Sequence, residues 1–155
     1  MSRPLRSDGA VWERAKPNIL NCLKNCPCMQ DVEEFELEEA FEELSEALDT
    51  DGYQLARRLD DALSCTDMSV TDVEELCNIS QHLGLAFNLI QREWVKENDI
   101  EVPFEIGNKV SFTYCGARMT GVVHSVDESL AKVTVAVEGR SGKPVLPVED
   151  VTVAE

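Results

Sequence analysis

Two histidines are all the chain has, and between residues 31 and 56 there is no lysine or arginine at all. His82 lies beside an apolar helical pattern and His124 in an alternating run, and neither shares a local motif with a nucleophile. Carboxylates abound, but acid–base work needs two held in unlike environments, which a row of exposed glutamates does not supply. The composition therefore points away from an enzyme. No apolar run is long enough to cross a bilayer. The basic start Met1-Ser2-Arg3-Pro4-Leu5-Arg6 leads into no apolar stretch, so no secretory signal is expected. The expected setting is cytoplasmic, with the six cysteines reduced.

What is present is acid. The net charge is −16 over 155 residues, unevenly spread. Residues 1–30 are net positive, whereas residues 31–51 carry eleven acids and no base. Such a balance repels nucleic acid and anionic membrane at long range and attracts basic surfaces. At 43% hydrophobic, the chain can still bury a core.

The first hundred residues follow a helical period. Ser7-Asp8-Gly9 is cap-like, and Ile19, Leu20, Leu23 and Cys26 share a face up to Pro27. Pro17 predicts two short helices or one kinked helix. Asp31 with Glu34 predicts the second helix start, and Leu37, Phe41, Leu44 and Leu48 its apolar stripe. A third helix carries Leu55, Leu59 and Leu63. Ser69 or Thr71 caps a fourth, over 20 residues long, with the stripe Val73, Leu76, Ile79, Leu83, Ala86, Ile90 and Trp94. Its middle, Leu83 to Ile90, is apolar almost all round. It either lies at the centre of the helical domain or pairs two copies as a homodimer.

After Asn98-Asp99 the period becomes two. Val110, Phe112 and Tyr114 alternate with polar residues, and short β-rich runs follow at 120–126, 131–137, 145–148 and 151–153, each bounded by turn residues. Ile106-Gly107-Asn108-Lys109-Val110-Ser111-Phe112, Gly116 with Gly121-Val122-Val123, Lys132-Val133-Thr134-Val135 and Val145-Leu146-Pro147-Val148-Glu149-Asp150-Val151 together resemble an SH3-like barrel of the KOW or Tudor type. That resemblance covers the last third of the chain and implies a small barrel with a binding role. Tudor-type readers use an aromatic cage, for which this stretch offers Phe104, Phe112 and Tyr114. KOW-type modules often contact RNA, whereas this segment is net acidic. The expected fold class is thus α+β. An acidic bundle of about four helices (1–98) is followed by a linker (99–105) and an SH3-like barrel (106–155).

Residues 31–48 hold nine carboxylates. As a helix this stretch spans about 27 Å, or one charge per about 3 Å, near the spacing of a single phosphate backbone. Ordinary surface helices mix both signs. The first functional expectation is therefore a protein-binding inhibitor or adaptor. Its Glu33, Glu34, Glu36, Glu38, Glu39, Glu42, Glu43 and Glu46 would engage a basic, nucleic-acid-binding partner as a nucleic-acid mimic, in the character of phage anti-restriction or anti-CRISPR factors. The competing account of the same residues is a solvated helix face. No cofactor, membrane or direct nucleic-acid binding is expected.

A second expectation makes the barrel a reader of RNA or of a protein tail, through Arg118, His124, Lys132, Arg140 and Lys143, with the helices dimerising. A third treats Cys22, Cys26 and Cys28 as metal or redox ligands. Against it, the spacing holds no CxxC, and Cys22 and Cys26 share the apolar face of Ile19 and Leu23. The fourth ligand would have to be Cys65, Cys77 or His82. Asp49-Thr50-Asp51-Gly52 lacks the first and last calcium ligands, and Gly142-Lys143 lacks the rest of a phosphate loop. Both read as turns.

Overall fold

The computed structural model describes residues 2–47, 50–63 and 68–154. The expected stripe residue Leu48, Asp49 and Cys65 lie outside the described residues. Four α-helices come first: α1 (Gly9–Asn25), α2 (Glu34–Ser45), α3 (Gly52–Leu63) and α4 (Val70–Glu97). Five strands follow: β1 (Lys109–Tyr114), β2 (Ala117–Asp127), β3 (Lys132–Ala136), β4 (Val145–Pro147) and β5 (Val151–Val153). The class is α+β, with N-terminal helices and a C-terminal small barrel. By contacts the chain divides into residues 1–90 and 91–155, so the division falls inside α4.

In the first unit all four helices feed one core. Val11, Ile19 and Leu23 of α1 meet Phe41 and Leu44 of α2, Leu55 and Leu59 of α3, and Leu76, Ile79 and Leu83 of α4. Pro17 sits within a continuous α1 rather than dividing it. The Pro27–Met29 segment is a 3-10 turn. The α2 helix starts at Glu34, not Asp31. Glu36 reaches back to accept the Glu33 N–H at 2.7 Å, which satisfies a donor that the first helical turn leaves open. Asp51 caps α3, accepting from the Tyr53 N–H at 3.0 Å. Gly52 is required where α3 meets α4: a Cβ there would lie 2.6 Å from the Val73 carbonyl oxygen and 2.8 Å from the Cys77 nitrogen. Ser69 is the cap of α4 and Asp72 its reciprocal partner. The Asp72 N–H donates to Ser69 Oγ at 3.2 Å, and the Ser69 N–H to Asp72 Oδ2 at 2.7 Å.

In the second unit α4 ends as a Schellman motif. Asp99 is left-handed (φ 48), and the Ile100 N–H donates to the Val95 carbonyl at 3.1 Å. The sheet order is β4-β3-β2-β1-β5, all pairs antiparallel. β1 and β2 are joined by Cys115 and Gly116, both at positive φ (50 and 76), as a tight two-residue hairpin demands. β4 and β5 occupy opposite edges yet are joined by the single 3-10 turn Val148–Asp150. Four strand gaps in a flat sheet span about 19 Å. A 3-10 turn of this length covers only about 8 Å. The sheet must therefore curl, as the SH3-like resemblance implies. Val110, Phe112, Val123, Val133, Val135, Leu146 and Val151 line its interior, together with Val95 and Phe104.

Candidate functional site

On α2 the apolar residues Leu37, Ala40, Phe41 and Leu44 face the core. That orientation turns the opposite face, with its carboxylates, to solvent. The eight glutamates are not equivalent. Glu36 serves the helix start. Glu38 meets Lys16 of α1 at 2.6 Å, and that same ammonium stands 4.7 Å over the Phe41 ring. The hydrogen bond that Lys16 donates to Glu38, opposed by partial desolvation and helped by the charges of Glu38, Glu13 and Glu42, raises the Lys16 pKa. Arg58 of α3 donates from Nε to the Glu43 carbonyl at 2.7 Å. The same nitrogen lies 3.0 Å from the Glu43 carboxylate, and a second guanidinium nitrogen lies 3.5 Å from Glu46. Arg58 thus supplies a cation at the C-terminal end of α2, whose own last turn has none. Glu33, Glu34, Glu39 and Glu42 are exposed.

Among them sits a residue the sequence reading passed over. Phe35 lies outside the apolar stripe and is 64% exposed. Glu38, Glu39 and Glu42 are three, four and seven residues on, so they share its helix face, and Glu34 adjoins it. The signal was legible in principle, because position 35 is well off the direction shared by Leu37, Phe41 and Leu44.

The basic residues of the barrel are only partly assembled. Arg140 and Lys143 lie together on the β3–β4 loop, and Lys143 Nζ is 2.9 Å from His124 Nε2. Arg118 is exposed on β2, opposite Thr113. Lys132 stands at the far end of β3 from that loop, opposite Asp127.

The five described cysteines are core and surface thiols. Cys22 and Cys26 are buried, Cys28 is half-buried with Sγ 3.6 Å from Met68 Sδ, and Cys77 and Cys115 are exposed. Burial first, then the Glu75 carboxylate, pushes the Cys22 thiol up in pKa, which disfavours the thiolate that metals and electrophiles need. Among the described residues no three His, Cys, Asp or Glu side chains are grouped to hold a metal. In the Leu83–Ile90 stretch, Leu83 and Ala86 are buried, while Leu85 and Leu89 are 58% and 46% exposed. No helix among the described residues is long and apolar enough to cross a membrane.

Known protein families, curated proteins and solved structures provide no match to this chain.

Proposed function

We propose that this is a non-enzymatic, cytoplasmic protein-binding protein whose α2 face engages a basic partner. The observation that carries the reading is Phe35, held out into solvent among Glu34, Glu38, Glu39 and Glu42. Burying a phenylalanine ring is worth about 1.5–3 kcal/mol, a gain left unrealised in the free chain. The complementary surface is one of arginine and lysine. A guanidinium stacks on the ring and its charge meets the carboxylates around it. Aromatic anchors of this kind dominate interface energetics. The partner class best matched is a nucleic-acid-binding protein, whose basic groove the face occupies in place of a phosphate backbone, as an anti-restriction or anti-CRISPR inhibitor would. Lys16 and Arg58 neutralise part of the row, so the unpaired carboxylates about Phe35 carry the interaction.

The test is capture of partners from lysate at about 50 mM and about 500 mM salt, which differ severalfold in screening length. The tagged chain is compared with Phe35→Ala and with Glu34→Lys/Glu39→Lys/Glu42→Lys. Basic nucleic-acid-binding proteins are expected in the salt-sensitive fraction and are expected to be lost with either variant. Identical capture by all three proteins at both salt concentrations ends the reading.

A further inference from the structure

The curl of the sheet leaves an open groove of about 480 Å³ at the end where β1 turns into β2 and β3 leads to β4. Its floor is apolar. Met119 of β2 and Val137, just after β3, both pack on the barrel core, and Pro144 closes the side. Tyr114, the last residue of β1, stands at the edge with 41% of its surface exposed. The rim is the 139–143 loop, which turns at Gly139 (φ 75) and through the Arg140 N–H donating to the Val137 carbonyl at 3.2 Å. That turn puts Arg140 and Lys143 beside the apolar floor, and among the described residues that line the groove none is acidic. Lys143 is positioned by its 2.9 Å contact with His124, which engages one of the three ammonium protons and leaves two for a ligand. The size falls in the range of small-ligand and peptide-end pockets.

The rim matches one anionic group beside an apolar one. A chain of net charge −16 repels a polyanion such as RNA before contact. A single carboxylate meets only the local pair of cations. The groove also differs from a simple strand-addition site. The Val135 N–H donates to the Pro144 carbonyl and the Val148 N–H to the Ala131 carbonyl, so Val145 and Pro147 face away from β3 on the open edge. Pro147 has no N–H to offer there, so a partner strand cannot extend along β4.

We propose that this groove binds the C-terminus of a partner polypeptide. The last apolar side chain lies over Met119, Val137 and Pro144 against the Tyr114 ring, and the free α-carboxylate lies between Arg140 and Lys143. The site shares no residue with the α2 face and does not rest on the role given to it.

Fluorescein-labelled hexapeptides ending in leucine or valine, titrated into the full chain and followed by anisotropy, test this directly. Peptides with a free carboxylate are expected to bind saturably. Amidating that carboxylate, or replacing Arg140→Gln with Lys143→Gln, is expected to weaken binding at least about tenfold, the loss of a charge-assisted contact. The thermal midpoint should be unchanged, because both residues are exposed. The Glu34→Lys/Glu39→Lys/Glu42→Lys protein is expected to bind like wild type, which keeps this test separate from that of the α2 face. Equal binding of free and amidated peptides, no saturable binding, or displacement of the peptide by an equally short oligouridylate overturns the proposal.

Discussion

At Asp72 a carboxylate sits with no solvent exposure, and several donors converge on it. The Cys28 N–H reaches Oδ1 at 3.0 Å, and the Ser69 N–H and hydroxyl reach Oδ2 at 2.7 and 2.5 Å. Burial alone would raise its pKa. The Cys28 N–H and the two Ser69 donors outweigh that and hold the carboxyl below the usual carboxylate value. Asp127 is lowered as well, chiefly by the Ser129 hydroxyl, with burial opposing and the Leu130 N–H assisting. A carboxyl with a depressed folded-state pKa contributes stability above its unfolded value, near 3.9, and loses it as the pH falls through the folded one. Stability from these two residues is therefore expected to fall below about pH 4. Asp72→Asn should flatten that acid limb in urea titrations at several pH values, and an unchanged limb would contradict the assignment. Asp72→Ala is expected to lower stability by about 2–4 kcal/mol, because it strips a cap and leaves buried donors without an acceptor. Phe35→Ala makes the opposite case. An exposed ring contributes little to folding, so its loss should change stability by no more than about 0.5 kcal/mol while weakening partner binding. A large loss of stability would mean that Phe35 is a packing residue.

The elements show where local patterns suffice and where they do not. The apolar stripes placed all four helices, and the alternation of Val110, Phe112 and Tyr114 placed β1. The start of α2 moved from Asp31 to Glu34 because the donor-satisfying carboxylate is Glu36, and several glutamates nearby could have served. Ser69 prevailed over Thr71 as the α4 cap because Asp72 also ties down the turn at Cys28, 44 residues away in sequence. No spacing rule reports such a contact. Gly52 follows the same logic. In the sequence it reads as a turn breaker, whereas in the fold it opens α3 against α4 with no room for a Cβ. Gly52→Ala is expected to destabilise by about 1–3 kcal/mol through this clash. Gly9→Ala, at the start of α1 with nothing within 4 Å of the new methyl, is expected to be neutral or to stabilise by up to about 1 kcal/mol. Equal midpoints for the two variants in chemical denaturation would refute the close approach.

On the scale of the molecule, a net charge of −16 opposes compaction. Lys16 and Arg58 relieve it locally on α2. Raising salt from about 10 mM to about 500 mM shortens the screening length from about 30 Å to a few ångströms. The melting temperature should rise by several degrees over that range. A fall would show that short-range ion pairs outweigh the long-range repulsion.

The order of elements, the change from helix to strand after Asn98, the burial of stripe residues such as Leu37, Phe41, Leu44, Leu76 and Ile79, and the acidity of α2 were all determined by the sequence itself. Each depends on neighbours a few residues apart, where the period of the chain and side-chain polarity dictate the outcome. The pairing of Lys16 with Glu38 and of Arg58 with Glu43, the convergence on Asp72 and the groove under Arg140 and Lys143 were decided only by tertiary structure. These contacts bring together residues far apart in the chain. Their distances follow from how whole helices and strands pack, and no local spacing encodes that.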